Sequence, residues 1–60
     1  MTGKELRARR EKLGMTQEVL SRKLEVSLST IARWEQLRED EIPNSKLLDL
    51  ALLALESKLG

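Results

Sequence analysis

Residues 14–36 read GMTQEVLSRKLEVSLSTIARWEQ, and this stretch decides the fold because it predicts two short helices joined by a tight turn. Thr16 and Ser27 are each suited to cap a helix start, since a hydroxyl can accept a hydrogen bond from an amide of the first turn. Gly14 ends the preceding helix, because glycine adopts a left-handed backbone at no steric cost. The inward positions of the two helices and their turn are all apolar or small: Leu20, Ser21, Leu24, Val26, Ile31 and Trp34.

The residues before Gly14 predict a first helix that begins at Thr2. Thr2 and Glu5 have the spacing of a capping box, in which the hydroxyl accepts from the third helical amide and the glutamate reaches back. Leu6, Arg10 and Leu13 recur at helical spacing on one face of this helix. We therefore expect that face to pack inward, with Arg10 among apolar neighbours.

After a loop over residues 36–43, the sequence predicts a last helix at about 44–58, opened by Pro43 and by Asn44 or Ser45. This helix is apolar around more than half of its circumference, which exceeds the need of a small core. We expect its second apolar stripe to be a dimer interface, with closure of the protein's own core as the alternative. One side of the helix carries Leu47, Leu50, Ala51 and Ala54, and the second stripe consists of Leu48, Leu52, Leu55 and Leu59.

Length and composition predict one small all-α domain over residues 1–60. The chain has no cysteine and no histidine, so thiol chemistry and the usual metal ligand are missing, and we expect no enzyme, no cofactor, no metal and no small-molecule substrate. The apolar stretch 47–55 is too short to span a bilayer and the amino terminus is polar, so we expect a cytoplasmic protein without a membrane partner.

Charge is distributed unevenly along the chain. Residues 1–23 contain seven basic and three acidic residues, whereas residues 24–60 contain four basic and seven acidic ones. Such asymmetry is typical of a molecule with one basic face, although an ordinary solvated surface would also produce it. The charge pattern by itself therefore does not identify a partner.

The segment 16–36 has the layout of a helix-turn-helix: a short helix, a tight turn at residues 25–27 and a second short helix. Because both helices need their inward residues for the core, the outward side of the second helix is free to enter the major groove of a DNA duplex. Leu28, Ser29 and Arg33 lie on that outward side, whereas Trp34 is expected to pack in the core.

The run Gly14-Met15-Thr16-Gln17, followed by Leu20, Leu24, Val26-Ser27, Thr30-Ile31 and Trp34-Glu35, resembles the Cro/repressor-type (XRE-like) family of helix-turn-helix DNA-binding domains. The resemblance covers about residues 3–55. It implies a compact four- or five-helix bundle of the lambda-repressor-like type. It also implies sequence-specific binding of double-stranded DNA by a homodimer, as in a repressor-like transcriptional regulator that is nucleoid-associated when bound. The alternative is a protein-interaction module, or an antitoxin, that holds a protein partner with the leucine-rich last helix.

The same resemblance implies roles for individual residues. Leu28, Ser29 and Arg33 match the base-contacting positions, where Arg33 can donate two hydrogen bonds to guanine and Leu28 can touch a thymine methyl group. Phosphate contacts are implied for Gln17 with Thr16 and for Gln36 and Arg38, and a structural ion pair is implied between Arg10 and Glu35. Arg33 has the simpler alternative of being a solvated surface charge, Gln17 that of being a polar residue of the first helical turn, and Arg10 and Glu35 that of each being exposed.

The sequence departs from the family pattern at two places. Glu25 occupies a turn position that is usually glycine, and a positive φ there costs glutamate about 1 kcal/mol relative to glycine. The loop after Arg38 carries Glu39, Asp40 and Glu41 where relatives often carry basic or amide residues. Since carboxylates repel a phosphate backbone, we expect these three to face away from the DNA or to reduce the affinity.

Overall fold

The computed structural model describes residues 1–59, apart from the side chain of Leu59. Helix α1 spans Gly3–Lys12, α2 spans Gln17–Leu24, α3 spans Leu28–Gln36 and α4 spans Ser45–Leu59. Within residues 1–59 the only extended pairing is an isolated antiparallel bridge between Thr2 and Glu41. The expected all-α fold is confirmed, with four helices.

Helices α1, α2 and α3 each begin at the predicted hydroxyl cap, where the side-chain oxygen satisfies an amide that has no partner inside the helix. Glu5 contacts the hydroxyl of Thr2 at 3.2 Å and does not reach back to the backbone amide as a full capping box would. The capping bonds run from Glu5 N to Thr2 Oγ1 at 3.1 Å, from Val19 N to Thr16 Oγ1 at 3.1 Å and from Thr30 N to Ser27 Oγ at 3.2 Å.

Left-handed backbone conformations end both α1 and α2. Gly14 has a φ of 71° just beyond α1, and Glu25 has a φ of 57° just beyond α2. The strain expected at Glu25 is therefore present. Its amide still donates to the carbonyl of Arg22 at 3.3 Å, and the amide of Val26 donates to the carbonyl of Ser21 at 3.0 Å, so the turn closes as a regular helix end.

The start of α1 is held against the loop that follows α3. The amide of Lys4 donates to the carbonyl of Arg38 at 2.7 Å, and the amide of Gly3 donates to the carbonyl of Asp40 at 3.4 Å. A Cβ atom on Gly3 would lie 2.3 Å from the carbonyl oxygen of Trp34 and 2.7 Å from the amide nitrogen of Arg38. Only glycine therefore permits this approach between α1 and the end of α3.

The core lies between the four helices and the loop. Each helix contributes at least one buried aliphatic side chain, and Ile42 in the loop is also buried, at 2% exposure, although the sequence reading did not place it in the core. Trp34 packs against this core, as expected, and remains only partly buried. The buried aliphatic residues are Leu6, Leu20, Ile31, Ile42, Leu48 and Leu52.

The prediction that the second apolar stripe of α4 forms a dimer interface is wrong. Leu52 is fully buried, Leu48 is 7% exposed and Leu55 packs partly buried against the same core. Leu48 and Leu52 are unavailable to a partner because they close the protein's own core, which was the alternative for this stripe. The side chain of Leu59, the fourth member of the stripe, lies outside the described residues.

Arg9 joins α1 to α4, a contact that the sequence reading missed. Its Nε donates to Glu56 Oε1 at 2.9 Å, and its Nη1 donates to Asp49 Oδ1. The hydrogen bond from Arg9 lowers the pKa of the Glu56 carboxyl, and the hydrogen bond to Glu56 raises the pKa of the Arg9 guanidinium. Both acidic side chains of α4 are thus held on the side that faces α1.

Candidate nucleic-acid interface

Helix α3 presents one side to solvent and the other to the core. Leu28 is 47% exposed, and Ser29 and Arg33 are exposed, whereas Ile31 is fully buried. None of the ion pairs formed within residues 1–59 involves Arg33. We term this outward side of α3 the reading face and define it by Leu28, Ser29 and Arg33. It therefore carries one charged and two uncharged side chains that are accessible to a ligand.

A hydrogen-bonded ion pair fixes the position of α3 relative to α1. Arg10 Nε donates to Glu35 Oε2 at 2.7 Å, and its Nη2 donates to Glu35 Oε1 at 3.1 Å. A third bond joins Arg10 Nη1 to the carbonyl of Met15 at 2.8 Å. The two side chains are only 12% and 7% exposed, so the pair that the resemblance implies is present and nearly buried. The bond to Glu35 raises the pKa of the Arg10 guanidinium, against the opposing effect of burial.

Gln17 connects the start of α2 to the same carboxylate. Its Nε2 donates to Glu35 Oε1 at 3.1 Å, which gives Glu35 donors from both α1 and α2. The amide group keeps its second hydrogen free, and the first backbone amides of α2 also point away from the helix. The Arg10–Glu35–Gln17 network thus orients the amino terminus of α2 beside α3, and an anion is favoured at such a terminus.

A shallow polar crevice of about 450 Å³ lies beside this network. In it, Arg7 lies next to three of the residues for which the resemblance implies phosphate contacts, Gln17, Gln36 and Arg38. Arg10 pairs with Glu35 inside the crevice, whereas neither Arg7 nor Arg38 forms an ion pair with a residue that lines it. The only ion pair of Arg7 within residues 1–59 is a 3.8 Å contact to the exposed Glu11, which is too weak to neutralise it. The crevice is lined by Arg7, Arg10, Gln17, Ala32, Glu35, Gln36 and Arg38.

Comparison with protein families matches residues 6–58 to the family described as Helix-turn-helix. The chain belongs to the helix-turn-helix family. Comparison with curated proteins and with solved structures found no match. The family is a DNA-binding, regulatory one and is not typically enzymatic, so membership supports DNA binding by this chain.

Within this helix-turn-helix protein, the acidic loop divides into two parts. Glu41 Oε2 accepts a hydrogen bond from the amino group of Met1 at 2.8 Å, so this carboxylate is engaged at the start of the chain. Glu39 and Asp40 instead line a second crevice together with the basic residues Lys4, Arg7 and Arg38. Two of the three carboxylates therefore lie beside cations, and the expectation that the acidic loop faces away from the DNA or reduces the affinity stays a prediction.

Sequence reasoning did not select Arg7 for the helix-turn-helix surface. The residue is one of several exposed cations on α1, and nothing in its local pattern distinguishes it from Lys12. Its place in the crevice follows from how α1 crosses α3, which depends on the Gly3 contact and on the Arg10–Glu35 pair.

The part of the chain that the structure describes contains neither a membrane-spanning helix nor a cluster of metal ligands. No helix there is both long and apolar enough to cross a membrane. No group of three or more carboxylate, imidazole or thiol side chains in residues 1–59 could hold a metal ion.

Proposed function

We propose that this helix-turn-helix protein is a transcriptional regulator that binds double-stranded DNA sequence-specifically, with α3 in the major groove. The observation that carries the proposal is the reading face on α3, where Leu28, Ser29 and Arg33 are exposed while Ile31 anchors the opposite side in the core. The major groove is wide enough to admit an α-helix, and each base pair presents a distinct pattern of donors and acceptors there.

Base recognition is assigned to the three residues of the reading face. The Arg33 guanidinium can donate two parallel hydrogen bonds to O6 and N7 of guanine, the commonest specific contact in such complexes. Leu28 can contact a thymine methyl group, and Ser29 can donate to or accept from a base edge. These contacts discriminate between sequences, whereas contacts to phosphate set register and orientation.

Phosphate binding is assigned to the crevice and to the amino terminus of α2. The groups that the DNA backbone would meet there are guanidinium groups, side-chain amides and free backbone amides, all of which can donate hydrogen bonds. Arg7 joins this set because it lines the same crevice as Gln17 and Arg38. The residues proposed to contact phosphate are Thr16, Gln17, Gln36 and Arg38, with Arg7 in addition.

Selection of preferred duplexes from a random pool, followed by a salt titration on the preferred sequence, tests the proposal. If three to five phosphates are neutralised, log K falls against log salt with a slope of about −3 to −4.5. Replacing Arg33 by alanine is expected to cost about 1–3 kcal/mol on the preferred sequence and to relax discrimination at one base pair. Lys12→Ala is the matched control, because it removes an exposed cation of α1 that does not line the crevice.

The phosphate assignment has a distinct signature. Arg7→Ala is expected to weaken binding to all sequences alike and to reduce the salt slope by about 1, because one fewer counterion is released. Unchanged discrimination in Arg33→Ala contradicts the base-reading role, and an unchanged slope in Arg7→Ala contradicts the phosphate role. If no duplex binds even at low salt, the proposed function is wrong.

Two copies of the chain are proposed to occupy two half-sites of one operator. Half-sites of helix-turn-helix dimers lie about 34 Å apart, one turn of the duplex, so the preferred sequence should contain two inverted copies of a short motif at that spacing. Regulation would then follow from occupancy of the site. A selected motif without inverted symmetry argues against binding by a two-fold dimer.

A second candidate function is protein binding through α4, as in a protein-interaction module or an antitoxin. The observation that favours it is the exposure of three leucines on this helix, at 75% for Leu47, 54% for Leu50 and 48% for Leu53. The duplex selection separates the two candidates, since a protein-binding module without DNA affinity would enrich no sequence.

A further inference from the structure

Leu28 is an exposed leucine that the fold does not use. Its side chain is 47% exposed, whereas Ile31 of the same helix is fully buried and Trp34 packs against the core. Within the described residues, Leu28 is not among the apolar side chains that form or contact the core. The start of α3 is fixed instead by Ser27, whose hydroxyl accepts a hydrogen bond from the amide of Thr30 at 3.2 Å. Because exposure of a leucine to water is unfavourable, Leu28 would gain by being buried against a ligand.

The first turn of α3, which contains Leu28, carries no charge. Leu28 is the first residue of the helix, this turn has no acidic residue, and the basic residue Arg33 lies in the last turn. The hydroxyl groups of Ser27 and Thr30 lie 2.8 Å apart and bond to each other. The amino-terminal residues of a recognition helix are those that contact base edges. Leu28 can therefore bring an apolar group to the bases without removing a charge of that turn from water.

The partner that an apolar side chain finds in the major groove is a methyl group. Thymine carries one at C5, beside its O4 acceptor, whereas cytosine presents an N4 donor and no methyl group. A leucine has no hydrogen-bonding group, so Leu28 cannot distinguish O4 from N4. 5-Methylcytosine carries its methyl group at the same C5 position as thymine. Leu28 therefore distinguishes pyrimidines by the presence of this methyl group and not by the rest of the base.

The other two residues of the reading face do not restore the distinction between the two bases. The Ser29 hydroxyl both donates and accepts, so it suits O4 of thymine and N4 of cytosine alike. The reading face has no carboxylate, the group that would select cytosine by accepting from N4. Arg33 follows Leu28 by five residues, or about 7.5 Å along the helix axis, and so addresses a different base pair. Recognition of the pyrimidine that Leu28 contacts thus depends on its methyl group.

We propose that the reading face recognises one pyrimidine of each half-site by its C5 methyl group, so that 5-methylcytosine is accepted in place of thymine. The proposal rests on the proposed function, because it takes α3 to lie in the major groove. Burying one carbon group of this size is worth about fourfold in affinity, or about 0.8 kcal/mol. A site with cytosine at this position gains that factor when the cytosine is methylated, so DNA methylation regulates occupancy of such a site.

Matched duplexes isolate the contribution of the methyl group. In the preferred sequence from the random pool, each thymine is replaced in turn by uracil, which removes the methyl group and keeps the pairing with adenine. At the position where uracil weakens binding, the T·A pair is then replaced by C·G and by 5-methylcytosine·G, which again differ only in the methyl group. Fluorescence anisotropy at one low salt concentration measures the affinities, because binding to DNA depends on salt.

The wild type is expected to lose about fourfold in affinity with uracil at one position of each half-site, and to bind 5-methylcytosine·G about fourfold more tightly than C·G there. In Leu28→Ser both ratios are expected to fall below about 1.5-fold, because the apolar contact is lost. Val19→Ser is the control, since Val19 is an exposed aliphatic residue of α2 outside the reading face, and it should retain the fourfold ratios. Circular dichroism checks that both variants are folded.

Two features of this design separate a direct contact from other effects of methylation. Methylation also alters the shape of the duplex, but an effect of shape would persist in Leu28→Ser. The methyl group is uncharged, so the paired duplexes should have the same salt slope, whereas a change in phosphate contacts would alter it.

Three results overturn the inference: uracil tolerated to within about 1.5-fold at every thymine, 5-methylcytosine·G no tighter than C·G at the selected position, or a methyl effect that persists in Leu28→Ser. Any of these in a protein that still selects a duplex rejects recognition of the methyl group and leaves DNA binding by α3 in place. Absence of binding to every duplex rejects the proposed function itself, and this inference with it.

Discussion

Replacing Arg10 by methionine removes the cation from a carboxylate that is only 7% exposed. Three hydrogen bonds are lost, two to Glu35 and one to the carbonyl of Met15. Breaking one partner of a buried pair costs about 3–5 kcal/mol, and we expect about 3 kcal/mol because Arg10 itself retains some exposure. A domain of this size has only about 3–9 kcal/mol of stability in total, so the variant should lose much of its resistance to urea.

Urea denaturation followed by circular dichroism at neutral pH measures this change. Arg22→Met is the control, because Arg22 pairs with Glu18 on the surface, where both side chains are more than half exposed. We expect that control to change stability by less than about 1 kcal/mol. Removing both charges with Arg10→Met/Glu35→Gln should recover part of the loss, since no buried charge is then left unpaired. A loss below about 1 kcal/mol in Arg10→Met would falsify the view that this pair anchors α3.

Three further predictions concern stability. Gly3→Ala is expected to destabilise the fold by about 1–3 kcal/mol despite the better helix propensity of alanine, because the new Cβ atom meets the carbonyl of Trp34. A gain in the free energy of unfolding, measured by chemical denaturation, would contradict the close approach of α1 to the end of α3. Glu25→Gly should stabilise by up to about 1 kcal/mol by relieving the left-handed strain, and thermal melting measures it. Arg9 lowers the pKa of Glu56 in the folded state, so their contact stabilises the fold at pH values above the ordinary glutamate pKa of about 4.3. This stabilisation is lost as the pH falls below that value and through the lowered pKa of the folded state. Melting temperatures of the wild type and Glu56→Gln should therefore converge on acidification, and a constant difference between pH 3 and 7 would argue against the contact.

Much of the helix-turn-helix could be predicted from the sequence because its determinants are local. A hydroxyl before an apolar run marks a helix start through a bond made within three residues, and the caps at Thr16 and Ser27 are where that rule places them. The inward position of Ile31 and the outward position of Ser29 follow from the 3.6-residue period of α3 alone. The ion pair between Arg10 and Glu35 came from family resemblance, since no local rule joins two residues on different helices.

What the tertiary structure decided is which surfaces meet. Periodicity groups Leu48 with Leu52 and Leu47 with Leu50, but both groups are equally apolar, so the pattern cannot choose which one faces the core. The choice is made by packing in three dimensions, which places Leu48 and Leu52 in the core and brings Asp49 to Arg9 of α1. The glycine requirement at position 3 and the place of Arg7 in the crevice likewise depend on contacts between residues distant along the chain. The sequence by itself thus determined the helices and their caps, whereas only three-dimensional packing determined which apolar side of α4 closes the core and which is left exposed.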